Sequence, residues 1–347
     1  MRVVITGASG FLGARLAREL AARGTLVDAQ GTRRAIREII GVDNVAPARA
    51  TTATATTNVS AAGASGSVAR AANGPSIEHV TGDLADPATI ARALAGGADT
   101  VFHLAAVVSG AAEADFDLGM RVNIDATRRL LEACRALARP PKFVFASSVA
   151  VFGGRLPDPV PDDAPLHPQT SYGTQKAIAE LLVDDMTRKG YLDGRSLRLP
   201  TVTVRPGKPN RAASSFASGI VREPLAGLDG ECPVGPEARM WVISPRAVID
   251  NLIIGHDAPA AAFDGARAVN VPGLCVSVGE MVEALREVAG AEVAAHVRWQ
   301  RDPVIDRMVS TWPARFAPLR GLALGMHGDR DFAAIVRAYI DDDMPRH

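Results

Sequence analysis

Tyr172 and Lys176 are two side chains whose spacing could support proton transfer. They stand four residues apart in SYGTQK, so they share one face of a helix. A phenol with an ordinary pKa of about 10 is a poor base at neutral pH, and a nearby ammonium lowers that pKa towards a working range. Ser147 and Ser148 follow a strand-like run in FASSVAVFG, where a hydroxyl can hold the oxygen that Tyr172 deprotonates. The group predicts a base acting on a substrate hydroxyl; the alternative is an exposed Tyr and Lys on a polar helix face.

A glycine-rich segment, TGASGFLG at residues 6–13, joins an apolar strand to an amphipathic helix. Gly7 permits a tight turn, Gly10 lets the backbone approach a pyrophosphate, and Gly13 lets the helix pack closely on the strand. The helix N-terminus then faces the phosphates. The segment predicts a dinucleotide site rather than an ordinary glycine-rich turn. The cofactor contacts predicted here are Gly7, Gly10, Phe11, Leu12 and Gly13.

An acidic residue at the end of the second strand would accept a hydrogen bond from the ribose 2′-hydroxyl of NAD. Asp43, in IIGVDN, is the predicted residue; it lies 30 residues beyond the glycine segment, and a polar insertion at 24–37 accounts for that long spacing. Asp28, in TLVDAQ, is the rival, because Arg33 and Arg34 follow it and could hold the 2′-phosphate of NADP. NAD is the predicted cofactor, and its positively charged nicotinamide is expected to lower the Tyr172 pKa together with the Lys176 ammonium.

Asp83, in HVTGDL, ends the third predicted strand. This position places its carboxylate where it can meet the adenine amino group. The alternative is that Asp83 caps the helix that begins near Pro87.

These side chains need a scaffold, and the chain alternates apolar runs of strand length with segments of helical period. Such alternation is typical of a parallel sheet with helices on both faces. The sequence therefore predicts an α/β fold: a doubly wound parallel sheet of the Rossmann type with a smaller α+β C-terminal substrate domain. The predicted strands lie near 2–6, 38–43, 76–80, 99–104, 142–146, 201–205 and 267–271, with short strands at 230–235 and 239–243. The predicted helices lie at about 11–23, 87–95, 115–138 and 170–189.

Composition suggests where the chain divides. Residues 46–75 are mostly Ala, Thr, Ser and Gly, which bury too little surface to offset the entropy of ordering, so we expect a flexible insertion, with a flap over bound cofactor as the alternative. Beyond residue 206, Pro and Gly become frequent and the strands short. We predict an NAD-binding domain of residues 1–205 and 245–272, and a substrate-binding domain of residues 206–244 and 273–347.

Charge and cysteine content exclude several classes of partner. The 347 residues carry 38 Lys and Arg against 38 Asp and Glu, so no global basic field exists to hold nucleic acid or an anionic membrane. Three widely spaced cysteines fit neither a disulfide framework nor a metal site. His103, inside the apolar run VFHLAA, is expected in the core rather than on a metal. With no secretory signal or spanning apolar run, we expect a soluble cytoplasmic protein without a metal.

Together these motifs resemble the extended short-chain dehydrogenase/reductase family, the NAD-dependent epimerase/dehydratase family that includes UDP-galactose 4-epimerase. The resemblance covers roughly residues 1–275. Besides the acidic strand end at Asp43, its motifs are GASGFLG at 7–13, GDL at 82–84, HLAA at 103–106, VNIDAT at 122–127, SSVAVFG at 147–153, YGTQK at 172–176 and RPG at 205–207.

The resemblance implies a role for individual residues. Tyr172 becomes the general base, Lys176 lowers its pKa and holds the nicotinamide ribose, and Ser148 is the hydroxyl partner. Asn123 positions the catalytic centre. The implied cofactor contacts beyond the glycine segment are Asp43, Asp83, Leu84, Leu104, Ala105, Ala106, Asn123, Tyr172, Lys176 and Pro206.

Two segments depart from the pattern of family members that act on sugar nucleotides. The usual Tyr-Gly-Pro run after RP is replaced by RPGKPNRAASSFASGIVREPL at 205–225, and the usual Arg-Asp strand is replaced by ARMWVISPRAVIDNL at 238–252. This pattern looks like a branch whose members oxidise a four-carbon sugar acid with NAD. Arginine suits bidentate carboxylate capture. The alternative for the two arginines chosen is a surface ion pair or, for Arg222, a charge at a helix C-terminus that offsets the helix dipole. The predicted substrate contacts are Ser109, Ser147, Ser148, Arg222 and Arg246.

The expected reaction is oxidation of the C2 hydroxyl of a short sugar acid, D-erythronate to 2-dehydro-D-erythronate, with transfer of the hydride to NAD. The alternatives are a nucleotide-sugar epimerase or dehydratase that holds its NAD tightly, and an interaction protein that senses NAD. The resemblance also implies a homodimer in which the helices predicted at 115–138 and 170–189 pair across a two-fold axis as a four-helix bundle.

Overall fold

The computed structural model describes residues 1–46, 74–207 and 213–344, so the predicted insertion at 46–75 lies almost wholly outside the described residues. The strands are β1 (Arg2–Thr6), β2 (Thr25–Val27), β3 (Arg33–Ala35), β4 (Glu38–Asp43), β5 (Ser76–Thr81), β6 (Thr100–His103), β7 (Lys142–Ser148), β8 (Val160–Pro161), β9 (Asp193–Leu199), β10 (Thr201–Val202), β11 (Gly230–Cys232), β12 (Arg239–Ile243), β13 (Ala268–Asn270), β14 (Leu274–Ser277), β15 (Val297–Trp299) and β16 (Phe316–Ala317).

The helices follow the same chain order. They are α1 (Phe11–Arg23), α2 (Pro87–Leu94), α3 (Ser109–Ala114), α4 (Phe116–Gly119), α5 (Ala126–Arg135), α6 (Ser171–Arg188), α7 (Phe216–Leu225), α8 (Pro245–Asp257), α9 (Val278–Ala289), α10 (Ala291–Ala294), α11 (Pro303–Ser310), α12 (Leu319–Ala323) and α13 (Phe332–Asp342). A π-helical turn spans Met120–Asp125, and 3₁₀ turns span Val149–Val151, Ala213–Ser215 and Ala260–Phe263.

Seven parallel strands form one sheet in the order β13-β9-β7-β6-β1-β4-β5. The order reverses at β1, so the crevice beyond the carboxyl ends of β1, β4 and β6 is the switch point where such sheets bind ligands. This arrangement confirms the predicted doubly wound α/β fold. It brings the residue after each of these strands to one edge of the sheet.

Apolar side chains cover both faces of the sheet. On one face Leu16 and Leu20 of α1, four residues apart, pack with Leu252 of α8 in one fully buried cluster. On the other face α2, α5 and α6 bury Ile90, Leu130 and Val183. The two layers hold the sheet rigid, so the residues at the carboxyl ends of its strands are fixed in place.

A separate apolar cluster lies in the C-terminal part of the chain. Helices α7, α9 and α13 contribute Ile220, Met281 and Val336, all fully buried, together with Val242 of β12. Strand β12 lies between β10 and β14 in a three-stranded sheet. Some predicted short strands are therefore present, at Gly230–Cys232 and Arg239–Ile243.

Three predicted elements differ from the structure. The sixth strand of the large sheet is β9, not the predicted 201–205, because the polar sequence DGRSLRL carries buried arginines that hide its strand pattern. The polar insertion at 24–37 folds as an antiparallel hairpin of β2 and β3. The helix predicted at 115–138 is divided into α4, the π-helical turn and α5.

Ion pairs join the first helix to the last. Arg15 of α1 contacts the carboxylates of Asp342 and Asp343, the latter at 2.7 Å. Arg246, at the start of α8, lies 2.8 Å from the other Asp342 oxygen. Helix α13 is thus attached to both helices on one face of the large sheet. Throughout the described ranges, no helix combines the length and the apolar character needed to cross a membrane.

Candidate active site

The turn between β1 and α1 is packed so closely that two of its positions require glycine. Gly7 has φ +73°, and a Cβ added there would lie 2.8 Å from Ala105 N; a Cβ at Gly13 would lie 2.1 Å from the Gly7 carbonyl oxygen. Gly10 caps α1 in an extended conformation without a side-chain hydrogen bond. The N-terminal turn of α1, with Phe11 and Leu12, is therefore uncovered by any capping side chain. Such a turn suits a pyrophosphate, so these residues fit the predicted dinucleotide.

Asp43 lies where the second strand of the parallel sheet ends. Its carboxylate accepts hydrogen bonds from the backbone N–H groups of Ser9, at 2.9 Å, and Val45, at 3.2 Å. It therefore faces the glycine turn, beside the position expected for a ribose. The rival Asp28 accepts from its own turn, at Gln30 N and Thr32 N, and contacts Arg34 Nε at 3.0 Å. Because Asp28 lies in the β2–β3 hairpin outside the large sheet, the structure favours Asp43.

Asp83 follows β5 at the same edge. Its carboxylate accepts from Ala85 N at 2.8 Å and forms an ion pair with Arg121, and both contacts lower the pKa of this carboxyl. The N-cap of α2 is Asp86, which accepts from Ala88 N, so the capping alternative for Asp83 is wrong. Leu84 is buried in the core beneath.

The segment after β6 runs against the glycine turn. Thr6 Oγ1 accepts a hydrogen bond from Ala105 N at 3.2 Å, and Leu104, Ala105 and Ala106 are half-buried. Asn123, buried in the π-helical turn, accepts from Val107 N at 2.8 Å. Ser109 begins α3 directly after this segment. The predicted residues of this group thus lie together along one stretch of the edge.

Tyr172, Lys176 and Ser148 meet at the carboxyl end of β7. Lys176 Nζ lies 5.6 Å from the centre of the Tyr172 ring and donates to the Ala146 carbonyl oxygen at 2.8 Å. Ser148 is the last residue of β7, and its hydroxyl interacts with the Tyr172 phenol. The structure therefore brings the three predicted catalytic side chains together.

Burial is the largest influence on the pKa values of Tyr172 and Lys176. Burial raises the pKa of Tyr172 to about 12, against the lowering effects of the Ser148 hydroxyl and the Arg205 guanidinium. Burial lowers the pKa of Lys176 to about 7, and the Glu180 carboxylate raises it. The predicted lowering of the phenol pKa involves the Lys176 ammonium together with the positively charged nicotinamide, and the protein's own groups do not produce it alone. The base needs a further positive charge.

Ser147, predicted as a substrate contact, points away from the site. It is 2% exposed, and its hydroxyl donates to Glu180 Oε1. Arg198 contacts the same Glu180 carboxylate through Nε and Nη2, at 3.0 and 2.8 Å. Side chains alternate along a strand, so Ser147 and Ser148 face opposite sides of β7. The predicted substrate role of Ser147 is wrong, because its hydroxyl is part of a buried network beneath Lys176.

The two arginines predicted to hold a carboxylate have protein partners. Arg222 donates to the Arg205 carbonyl oxygen at 2.7 Å and to Glu223 Oε1 at 2.6 Å. Arg246 is paired with the Asp342 carboxylate, as described above. The surface ion-pair alternative is therefore correct for Arg246. Arg222 is buried and lies in the last turn of α7, as its second alternative, a charge at a helix C-terminus, expected. The prediction of a free carboxylate-binding guanidinium is wrong at both positions.

Arg205 is the side chain that the sequence reasoning missed. It is half-buried after β10, beside Pro206, and its positive charge acts on the Tyr172 phenol. Its place in the RPG motif was visible in the sequence, and its position next to the base was not. His103 fulfils its expectation: it lies in the core between the hydroxyls of Thr6 and Thr127, and burial lowers its pKa to about 3.

Comparison with known proteins gives a family match, two similar dehydrogenases and a similar solved structure. Residues 3–241 match the profile of the NAD dependent epimerase/dehydratase family. D-erythronate dehydrogenase from Cupriavidus necator is 50% identical over 99% of this chain and 98% of its own length, and that from Haemophilus influenzae is 39% identical over 99% of this chain and 100% of its own. The solved structure of a nucleoside-diphosphate-sugar epimerase from Agrobacterium tumefaciens is 37% identical, covers 99% of this chain and 94% of its own, and superposes with a TM-score of 0.87.

The family match spans more than half of the chain and names NAD as the cofactor of the family. It confirms both the resemblance drawn from the motifs and the predicted cofactor. The chain therefore belongs to the NAD dependent epimerase/dehydratase family.

Proposed function

We propose that this chain is an NAD-dependent dehydrogenase that oxidises the C2 hydroxyl of D-erythronate to 2-dehydro-D-erythronate. The observation that carries the proposal is the meeting of Tyr172, Ser148 and Lys176 at the carboxyl end of β7, on the sheet edge that also carries the glycine turn. The near full-length identity to two D-erythronate dehydrogenases supports the choice of substrate.

In the proposed mechanism Tyr172 accepts the proton of the C2 hydroxyl at its phenolic oxygen. The Ser148 hydroxyl holds the substrate oxygen as it becomes a carbonyl. Bound NAD would supply the hydride acceptor and a positively charged nicotinamide. Since burial holds the phenol pKa at about 12, the site works as a base only when positive charge is added next to Tyr172.

Several residues would hold the cofactor. Asp43 would accept from the adenosine ribose, Asp83 would meet the adenine amino group, and Lys176 would donate to the nicotinamide ribose. The Lys176 ammonium is already fixed by the Ala146 carbonyl oxygen, which leaves two of its protons for a ligand. The remaining predicted contacts line the path between these ends: Gly7, Gly10, Phe11, Leu12, Gly13, Leu84, Leu104, Ala105, Ala106, Asn123 and Pro206.

We propose that the chain is divided into two domains. Residues 1–205 with 245–272 would carry NAD, and 206–244 with 273–347 would close over the substrate. The apolar cluster of α7, α9 and α13 supports a second unit with its own core. The three cysteines are free, which agrees with the proposed cytoplasmic location.

The proposed homodimer uses the helices beside the site. Phe116 of α4 is 59% exposed and Leu181 of α6 is 65% exposed, and Ile178 lies one turn before Leu181. Exposed apolar side chains in such a group favour burial against a second copy. Light scattering of Leu181→Glu should show a monomer, whereas Leu319→Glu, at a similarly exposed leucine of α12, should stay dimeric. A monomeric wild type would refute the dimer.

The test of function follows the absorbance of reduced nicotinamide while NAD or NADP is offered with D-erythronate, L-threonate or D-glycerate. We expect reduction of NAD with D-erythronate. The likeness to the Agrobacterium epimerase favours one alternative, an epimerase, so UDP-sugars are included with product analysis. If a UDP-sugar is converted without net reduction of NAD, and no sugar acid reduces NAD or NADP, the protein is an epimerase instead.

A further inference from the structure

Arg205 is held at the edge of the large sheet beside the candidate base. Strand β9 pairs with β7 so that Leu199 lies opposite Ser148, and Arg205 follows six residues later. Its backbone N–H donates to Ser218 Oγ at 3.0 Å, and its carbonyl oxygen accepts from Arg222 Nη1 at 2.7 Å. Both contacts come from α7, so the backbone of Arg205 is fixed between the sheet and that helix.

Among the described residues, the guanidinium of Arg205 forms no ion pair with a carboxylate. Its Nη2 atom is buried and has no hydrogen-bond partner among the residues that the structure describes. The three arginines that are buried among the described residues are all paired, Arg195 with Asp193, Arg198 with Glu180 and Arg222 with Glu223. A buried charge is costly unless it is paired and hydrogen-bonded, so an unpaired guanidinium in a binding cleft indicates an anionic ligand.

The surroundings of Arg205 add to this positive field. The Tyr172 phenol and the Arg205 guanidinium are close enough that each shifts the pKa of the other, and Arg222 also acts on Arg205. The Glu223 carboxylate is bound to Arg222 and balances that charge. One positive charge therefore remains unbalanced next to the base, on a side chain whose planar group can grip both oxygens of a carboxylate.

We propose that Arg205 binds the substrate carboxylate and thereby selects 2-hydroxy acids, with Arg222 fixing the Arg205 backbone. The inference rests on the proposed function and names the specificity determinant of that site. In a 2-hydroxy acid the carboxylate carbon is bonded directly to the carbon that carries the reacting hydroxyl. An anchor adjacent to Tyr172 therefore directs the C2 hydroxyl, rather than C3 or C4, to the phenolic oxygen.

The experiment compares D-erythronate with its neutral amide, D-erythronamide, in the NAD reduction assay. For Arg205→Met we expect kcat/KM for the acid to fall at least about 100-fold, because a charged hydrogen-bonded pair is lost. The amide should lose clearly less, because it loses only the positive charge that lowers the Tyr172 pKa. Arg205→Lys keeps the positive charge but loses the planar guanidinium that can donate two parallel hydrogen bonds. We therefore expect kcat/KM for the acid to fall about 10-fold. The matched control is Arg139→Met, at a guanidinium whose side chain is 89% exposed, and both substrates should be unaffected.

The ratio of acid to amide turnover decides the proposal. An equal loss on both substrates, or an unchanged rate on the acid, would overturn it, since a merely structural residue does not discriminate between them. NAD affinity, measured by fluorescence quenching, should stay at the wild-type value in both Arg205 variants. Should Arg205→Met fail to fold, the ratio in Arg205→Lys decides alone.

Failure of the proposed function would be recognised separately. If the wild type reduces NAD with none of the sugar acids, that function is refuted, and calorimetric titration of D-erythronate into NAD-loaded protein then tests Arg205. Binding to the wild type that weakens at least about 10-fold in Arg205→Lys would support the carboxylate site. Absent or equal binding would overturn it.

Discussion

Replacing Gly7 with alanine tests the dinucleotide cradle against a matched control in the same chain. Gly7 and Gly24 share a left-handed backbone, with φ +73° and +67°. An added Cβ at Gly7 would meet Ala105 N at 2.8 Å and Ala105 Cα at 3.0 Å, whereas at Gly24 it would meet nothing within 4 Å. The two variants therefore differ in steric contact and agree in backbone strain.

The expected cost follows from these contacts. The left-handed conformation costs alanine about 1 kcal/mol relative to glycine at either position. Forcing the Ala105 backbone away from Gly7 resembles overpacking, which adds about 1–3 kcal/mol. We therefore expect a loss of free energy of unfolding of about 1 kcal/mol for Gly24→Ala and about 2–4 kcal/mol for Gly7→Ala. Because Ala105 is a proposed cofactor contact, Gly7→Ala should also weaken NAD binding.

Urea unfolding followed by circular dichroism measures the two stabilities, and fluorescence titration measures NAD affinity. Gly24→Ala should bind NAD as the wild type does, and Gly7→Ala should bind it at least about 10-fold more weakly, which corresponds to about 1.4 kcal/mol. Equal losses of stability in the two variants would refute the steric reasoning. Wild-type NAD affinity in Gly7→Ala would refute the placement of the cofactor against this turn.

Three further predictions concern the site. Tyr172→Phe should lower kcat by about 100- to 10,000-fold with NAD affinity retained, and intact turnover would contradict its role as base. Asp43→Asn should weaken NAD binding about 10-fold in a fluorescence titration, as expected for a lost charged hydrogen bond, and Asp28→Asn should leave it unchanged. The reverse result would assign the ribose contact to Asp28. Glu180→Gln should move the alkaline fall of kcat/KM to lower pH, because the Glu180 carboxylate raises the Lys176 pKa, which is about 7, and its loss lowers that pKa further. An unmoved or upward-shifted fall in the pH profile would show that the Lys176 ammonium is not required.

The strands that build the site were predictable because their apolar runs are continuous. Residues 2–6 and 38–43 are buried strands of a parallel sheet, so their pattern and the acid at their end agree with the structure. Strand β9 was misplaced because Arg195 and Arg198 lie inside it. Arg195 donates to the His256 carbonyl oxygen of α8, and Arg198 pairs with Glu180 of α6. Periodicity counts such arginines as exposed, and only the tertiary partner shows that they are buried.

The site residues were harder to predict, because the sequence does not show which partner each side chain has in the fold. Ser147 and Ser148 are adjacent in sequence, and only the direction of β7 distinguishes the hydroxyl beside Tyr172 from the one on Glu180. Likewise Arg222 and Arg246 looked free until α7 and α13 supplied Glu223 and Asp342. A sequence shows which groups can pair with a carboxylate, and the fold decides whether that carboxylate belongs to the protein or to its substrate.

The attachment of α13 to α1 has a consequence for synthesis of the chain. Arg15 and its partners Asp342 and Asp343 are separated by 327 and 328 positions. Ribosomes add roughly 5–20 residues per second, so Arg15 emerges roughly 16 to 66 s before the carboxylates that bind it. While the chain is being synthesised, α1 therefore cannot use its ion pairs with Asp342 and Asp343, and these contacts can form only after the last helix has been added.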